Sequence, residues 1–118
     1  MVLAKITVTV QNLMKSKNGY ESEFLVDTGS IDCMVPAIVL RNAGIKHEGK
    51  RAYELANGKP EEWEYGFARI SFLGLETVAQ IIFGSEKAEP ILGAVALKNV
   101  NIRVDPATGT LKSYPASS

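Results

Sequence analysis

The stretch Phe24-Leu25-Val26-Asp27-Thr28-Gly29-Ser30 decides the interpretation of this sequence. Its first three residues are apolar, as in a buried strand, and they run directly into a carboxylate. The pattern predicts that Asp27 ends a strand, beside a tight loop whose glycine lets a ligand or another backbone approach closely. The tripeptide Asp-Thr-Gly arises by chance in about one chain in a hundred. Taken alone, it would be an Asp-initiated turn.

The surrounding segments predict a small, mainly β domain. Alternating residues from Ala4 to Val10 predict a first strand, and an Asn18-Gly19 turn joins it to a second strand over residues 20–26. A second hairpin is expected around Asn57-Gly58. The other expected elements are helices over 36–43 and 94–98, a strand over 75–83 and a terminal hairpin of 101–104 and 110–113. We expect one domain over residues 1–113 and a flexible tail over 114–118.

Composition excludes several classes of function. The 118 residues include 13 basic and 13 acidic side chains, so no bulk attraction to nucleic acid or to a membrane surface is expected. No stretch approaches the ~20 apolar residues of a membrane span. The single cysteine, Cys33, cannot form an intrachain disulfide, which fits a reducing compartment. We expect a cytoplasmic protein with no nucleic-acid or membrane partner.

Three further segments follow the Asp-Thr-Gly loop in an informative order. They are Tyr53-Glu54-Leu55-Ala56-Asn57-Gly58-Lys59, then Ile91-Leu92-Gly93-Ala94-Val95-Ala96-Leu97, then Val104-Asp105-Pro106-Ala107-Thr108-Gly109-Thr110-Leu111. With the loop, they resemble the retropepsin-like (clan AA) aspartic proteases, in the places of the flap hairpin, the apolar-apolar-Gly motif before a helix, and the terminal hairpin of bacterial and archaeal-type members. The resemblance covers nearly the whole chain.

The resemblance implies a small closed β-barrel-like acid protease fold with a flap hairpin, and activity as an aspartic endopeptidase on extended peptides. In such a site two carboxylates about 3 Å apart share one proton. One takes a proton from the attacking water, and the other donates to the oxyanion that develops on the peptide carbonyl. No metal and no cofactor are required. Apolar side chains flanking the cleaved bond are the expected substrate feature.

The aspartate count then predicts a homodimer. The chain has ten glutamates and only three aspartates, Asp27, Asp32 and Asp105. Asp32 is too close in sequence to Asp27 to face it across a symmetric site, and Asp105 precedes a proline in an expected turn. The second carboxylate would therefore be Asp27 of another copy, related by a twofold axis. The family resemblance implies the same assembly.

The resemblance also implies roles for the loop that follows Asp27. Thr28 would hydrogen-bond across the dimer axis, and Gly29 would offer backbone contacts to the substrate. Ser30 would hydrogen-bond the catalytic carboxylate and lower its apparent pKa by stabilising the charged form.

Two more groups of residues receive roles by resemblance. The flap over the substrate would contain Leu55, Ala56, Asn57 and Gly58. Support for the catalytic loop would come from Ile91, Leu92 and Gly93, the first two by core packing and the glycine by letting the helix pack closely. The chain departs from retroviral members behind the loop: Ala94, Val95 and Ala96 provide no charge to pair with an acid just past it.

Other interpretations were weighed against this one. A thiol pair of Cys33 and His47 is disfavoured because a lone cysteine beside apolar residues is usually buried, and one Cys with one His makes no metal cluster. The aromatic face of Trp63, Tyr65 and Phe67 is assigned to core packing, with cleft lining as the alternative, and Gly66 indicates a bulge or a close backbone approach. A non-enzymatic alternative stays open: a catalytically inactive dimeric peptide-binding or dimerisation module of the same fold.

Overall fold

The structure, a computed structural model, describes residues 2–54 and 57–115. Its elements in chain order are β1 (Val2–Gln11), β2 (Tyr20–Asp27), β3 (Cys33–Pro36), α1 (Ala37–Asn42), β4 (Gly49–Glu54), β5 (Pro60–Phe72), β6 (Leu75–Gly84), β7 (Ile91–Leu92), α2 (Ala94–Asn99), β8 (Ile102–Asp105) and β9 (Thr110–Ser113). The mainly β class expected from the sequence, with two short helices, is confirmed. No helix in the described residues is long and apolar enough to cross a membrane.

Seven strands form one sheet that curls back on itself. Their order is β1-β2-β7-β3-β6-β5-β4, and β1 pairs a second time with β5, for example Val10 with Ile70. This extra pairing closes the sheet into a small barrel. The hairpin of β8 and β9 forms a separate two-stranded sheet.

The core lies inside this closed sheet. Val8 and Val10 of β1 are fully buried, as the alternation of the first strand predicts, and Phe24 and Val26 of β2 are buried beside them. Burying each such side chain contributes roughly 2 kcal/mol. The residue after Val26 in β2 is Asp27, which pairs with Val2 of β1, so the strand pair β1–β2 fixes its backbone.

Two central strands were not expected from the sequence. β3 runs parallel to β6, and β7 lies between β2 and β3. They have four and two residues, too few to show a period of two. Cys33, interpreted as a small buried hydrophobe, begins β3 and is 1% exposed.

The structure corrects the prediction that Trp63, Tyr65 and Phe67 pack in the core. The opposite face of β5 enters the core, through Ala68, Ile70 and Phe72, while Phe67 is 42% exposed. Core packing was therefore wrong for this aromatic face, because the register of β5 turns the other face inward.

Gly66, on the core side of β5, marks a close backbone approach rather than a bulge. A β-carbon there would lie 2.5 Å from the carbonyl oxygen of Lys46, and the pairing with β6 continues without a shift through this residue.

The chain end is described as far as residue 115. The backbone N–H of Tyr114, which the sequence placed in a flexible tail, donates to the carbonyl of Asn101 at 2.9 Å. Residues 116–118 of that expected tail lie outside the described residues.

Candidate functional site

Asp27 is the last residue of β2, and its carboxylate is held by its own loop. The backbone N–H of Gly29 donates to Oδ1 at 2.9 Å, and the Ser30 hydroxyl donates to Oδ2 at 3.2 Å. The Ser30 N–H also donates to the Asp27 carbonyl oxygen at 3.1 Å, which closes the turn. Strand, carboxylate and turn thus lie where the sequence pattern places them.

These contacts act on the acidity of Asp27. Burial by itself raises the pKa, but hydrogen bonds, those from Gly29 and Ser30 among them, outweigh it, and the pKa of Asp27 lies below its usual value. Asp27 of a single chain is therefore ionised at mildly acidic pH, which suits a base better than a proton donor.

The other two aspartates are engaged elsewhere. Asp105 ends β8, directly before the turn of the β8–β9 hairpin, where Lys112 Nζ pairs with it at 2.6 Å and the Ala107 N–H donates to it at 2.9 Å. The carboxylate of Asp32 accepts hydrogen bonds from Tyr53 and Gln80. The turn interpretation of Asp105 is confirmed, and each of these carboxylates has partners of its own.

The start of α2 holds the loop from behind. The backbone N–H groups of Ala94 and Val95 donate to the carbonyls of Ser30 and Ile31 at 2.7 and 3.0 Å. The first N–H groups of a helix have no partner within it, so the loop carbonyls satisfy two of them. Two backbone hydrogen bonds therefore fix helix and loop to each other.

Gly93 allows this close approach. A β-carbon at this position would lie 2.8 Å from the carbonyl oxygen of Ile31 and closer still to that of Asp32. Real β-carbons do not approach backbone atoms so closely, so any side chain at residue 93 would push α2 away from the loop.

Ile91 and Leu92 support the strand that leads into Asp27. They form β7, which pairs in parallel with Leu25 and Val26 of β2, and Leu92 is fully buried. The Leu25 N–H also donates to the carbonyl of Pro90 at 2.9 Å.

The flap hairpin connects β4 and β5. The Lys59 N–H donates to Asn57 Oδ1 at 2.9 Å, and Gly58 has φ of +80°, as a tight turn requires. Both turn residues are exposed. The other two residues assigned to the flap, Leu55 and Ala56, lie outside the described residues.

A polar network that the sequence did not reveal connects the flap to the loop. The Tyr53 hydroxyl donates to Asp32 Oδ2 at 2.8 Å, and Gln80 Nε2 reaches the same oxygen at 3.0 Å and the Tyr53 oxygen at 3.1 Å. Burial and the hydrogen bond to Asp32 raise the pKa of Tyr53. These three residues lie on different elements and up to 48 positions apart, so no local pattern could find them.

Replacing Tyr53 by phenylalanine is expected to destabilise the fold by about 1 kcal/mol, because Asp32 loses one of two hydrogen bonds but keeps Gln80. Denaturant unfolding at neutral pH measures the change. Tyr65→Phe, which removes a hydroxyl from the adjacent strand, is the control. Equal stability of Tyr53→Phe and the unsubstituted protein would show that the network contributes nothing.

Two cavities flank the Asp27 loop. The first, here called the flap cavity, measures about 460 Å³ and extends from Gly29 and Ser30 to Tyr53 on the flap and Trp63 on β5. The second, here called the hairpin cavity, measures about 550 Å³ and lies between Thr28, helix α2 and strand β8. The loop that carries Asp27 therefore borders open space on both sides.

The described residues offer neither a thiol nucleophile nor a metal centre. Burial raises the pKa of Cys33 to about 12, so its thiol stays protonated at neutral pH. His47 lies beside Glu64, 3.3 Å from its carboxylate, with 57% of its side chain exposed. No group of three His, Cys, Asp or Glu side chains in the described part of the chain could hold a metal ion.

Comparison with known proteins agrees with this geometry. The family model described as gag-polyprotein putative aspartyl protease matches residues 14–99, which include the Asp27 loop, the flap and the Ile91-Leu92-Gly93 motif. No curated protein matches the chain in sequence.

Solved structures share the fold at low sequence identity. A retropepsin-like aspartic protease from Rickettsia conorii is 19% identical, with 89% of this chain and 92% of that chain covered and a TM-score of 0.51. The simian foamy virus (mac) protease is 9% identical, with 80% and 92% covered and a TM-score of 0.57. A retroviral protease-like domain from Leishmania major is 13% identical, with 96% and 89% covered and a TM-score of 0.57.

Proposed function

The chain belongs to the gag-polyprotein putative aspartyl protease family, and on this basis we propose that two copies form an aspartic endopeptidase with one active site. The observation that carries the proposal is the position of Asp27. Its carboxylate ends a buried strand, is held by Gly29 and Ser30, and lies in a loop fixed from behind by α2. Asp105 has a similar contact, from the Ala107 N–H, so it is the hydrogen bonds from α2 that distinguish the Asp27 loop from that turn.

The second carboxylate of the proposed site is Asp27 of another copy. Asp32 and Asp105 are engaged in contacts of their own, so a single chain offers one suitable aspartate. A twofold axis beside the loop would bring two Asp27 carboxylates together, with the Thr28 residues close to the axis. The site is incomplete without the partner.

Strands near the loop support this assembly. In the part of the chain that the structure describes, β8 and β9 pair only with each other, so both outer edges of their hairpin can accept another strand. The hairpin cavity beside Thr28 is lined in part by Leu97, Ile102 and Val104. Leu97 and Ile102 are buried, whereas Val104 is half-buried and offers apolar surface that a second copy could cover.

The proposed reaction follows from two carboxylates that share one proton. The ionised one takes a proton from a water molecule as its oxygen attacks the peptide carbonyl carbon. The protonated one donates a hydrogen bond, and then the proton, to the carbonyl oxygen. When the tetrahedral intermediate collapses, the C–N bond breaks and the amine leaves with the proton that the first carboxylate took from water. A hydroxyl of the intermediate returns a proton to the other carboxylate as the new carboxylic acid forms, so the pair again shares one proton. Substrate would bind as an extended strand beneath the flap, whose turn contains Asn57 and Gly58.

The pH dependence of peptide cleavage tests this proposal. We expect a bell-shaped kcat/KM with its maximum on the acid side of neutral. Activity falls at low pH as the carboxylate with the lowered pKa takes up a proton, and falls at higher pH as the pair loses its shared proton. Ser30→Ala should move the acid limb to higher pH, because it removes a hydrogen bond that favours the charged form.

Initial rates on an unfolded protein substrate between about pH 3 and pH 8 measure this profile. A rate that keeps rising above neutral pH would contradict the proposal, since it would indicate another catalytic base. An acid limb that stays in place in Ser30→Ala would show that Asp27 is not the titrating group.

A further inference from the structure

The flap cavity has walls of two kinds. Met34, Trp63 and Ile82 provide apolar surface, whereas Asp32 and Glu54 provide carboxylates. The cavity begins at Gly29 and Ser30, directly beside the Asp27 carboxylate. A substrate side chain next to the cleaved bond would enter it.

Asp32 is the unusual member of this lining. The residue is only 8% exposed, and in the described part of the chain no cationic side chain forms an ion pair with it. Oδ2 accepts the two hydrogen bonds from Tyr53 and Gln80, and Oδ1 accepts none from the described residues. A carboxylate this buried is costly unless a positive charge compensates it.

The free oxygen of Asp32 has access to the cavity. Among the described residues no buried side-chain oxygen or nitrogen lacks a hydrogen-bond partner, so Oδ1 must reach open space. Asp32 lines the flap cavity, and that is where this oxygen can be met. An acceptor beside the proposed catalytic loop is therefore available to a ligand.

Glu54, at the end of β4, adds a second negative charge at the same cavity, and its side chain is exposed. Of the two cations on that strand, Arg51 stacks over the Tyr65 ring at 5.2 Å and Lys50 lies 4.0 Å from the Glu62 carboxylate; neither is part of the cavity wall. Among the described residues that line it, the cavity thus combines two carboxylates with no cationic side chain.

We propose that the flap cavity is a specificity pocket for a lysine or arginine side chain of the peptide substrate, adjacent to the cleaved bond. The aliphatic stem would lie on Trp63 and Met34, and the charged end would meet Asp32 Oδ1 and Glu54. This inference rests on the proposed peptidase function, and it replaces the apolar residue expected from the sequence with a basic one at this subsite.

Paired peptides test the pocket. The two peptides of a pair differ only in having lysine or norleucine, which have similar stems, at one position. One pair varies the residue before the cleaved bond, and another pair varies the residue after it. We expect the unsubstituted dimer to prefer lysine at one of these positions by about tenfold in kcat/KM. Asp32→Asn, which keeps the shape and the contacts to Tyr53 and Gln80, should reduce the ratio to near one, and Glu54→Gln should reduce it partly.

Glu23→Gln is the matched control, because it also removes one exposed carboxylate but lies on β2 away from the cavity lining. It should leave the ratio unchanged. Equal rates on both peptides, or a preference for norleucine, would overturn the pocket. So would an unchanged ratio in a folded Asp32→Asn; if that variant does not fold, an unchanged ratio in the exposed Glu54→Gln decides the matter.

Binding separates this inference from the proposed function. If no peptide is cleaved, titration of the same pairs into the unsubstituted protein still measures the preference. Tighter binding of the lysine peptide that is lost in Asp32→Asn supports the pocket while the peptidase proposal fails. Cleavage without a lysine preference supports the peptidase proposal and overturns the pocket. A protein that neither cleaves nor binds the peptides overturns both.

Discussion

Replacing Asp27 by asparagine should lower kcat by at least about 10³-fold while the dimer persists. An amide cannot take the proton from the attacking water, and the symmetry of the proposed dimer removes both carboxylates at once. Asparagine has nearly the same shape and can still accept the hydrogen bond from Gly29. Peptide cleavage and sedimentation on the same sample measure the two properties separately.

Glu86→Gln is the control for this substitution, because it changes one exposed loop carboxylate to an amide. It should cleave at the normal rate. Full activity of Asp27→Asn would contradict the proposed mechanism. A dimer that cleaves nothing even with Asp27 in place would favour the inactive peptide-binding module instead.

Mixing the unsubstituted protein with Asp27→Asn tests quantitatively whether activity requires a dimer with two Asp27 residues. If subunits exchange freely, about a quarter of the dimers in an equal mixture carry two Asp27 residues. Addition of an equal amount of Asp27→Asn should therefore halve the activity of a fixed amount of the unsubstituted protein. Undiminished activity would show that each chain works alone.

Replacing Gly93 by alanine should destabilise the protein by about 3 kcal/mol. The new methyl group would overlap the backbone carbonyls of Ile31 and Asp32, which cannot rotate away as a side chain could. Either α2 moves back and loses its hydrogen bonds to Ser30 and Ile31, or the Asp27 loop shifts. Both responses should also reduce cleavage.

Gly74→Ala is the control, because it shows how much stability is lost when a glycine is replaced without a clash with neighbouring atoms. At Gly74 a β-carbon meets nothing within 4 Å, although its φ of +75° makes alanine unfavourable by about 1 kcal/mol. Thermal or denaturant unfolding of the two variants compares them. If Gly93→Ala were no less stable than Gly74→Ala, close packing behind the loop would not explain the glycine.

The predictable parts of the fold are those with local patterns. The alternation around Val8 and Val10 predicts which face of the first strand is buried. The apolar run into Asp27 predicts that the second strand ends there, at a turn. The Asn57-Gly58 and Asp105-Pro106 turns also appear at the expected places. Each of these signals lies within a few residues of the feature that it predicts.

The parts that were missed depend on tertiary contacts. β7 is two residues long and exists because β2 and β3 lie on either side of it. The hydrogen bonds of Asp32 come from Tyr53 and Gln80, which only the closed barrel brings together. Core packing was preferred for Trp63, with cleft lining as the alternative, whereas Trp63 lines the flap cavity.

Titration with a tight, transition-state-mimicking peptide inhibitor, whose hydroxyl replaces the attacking water, tests the central claim most directly. One active site made from two Asp27 residues requires one inhibitor molecule per two chains, measured by calorimetry at concentrations where the dimer forms. A ratio of one inhibitor per chain, or no binding at all, would contradict an active site shared by two copies.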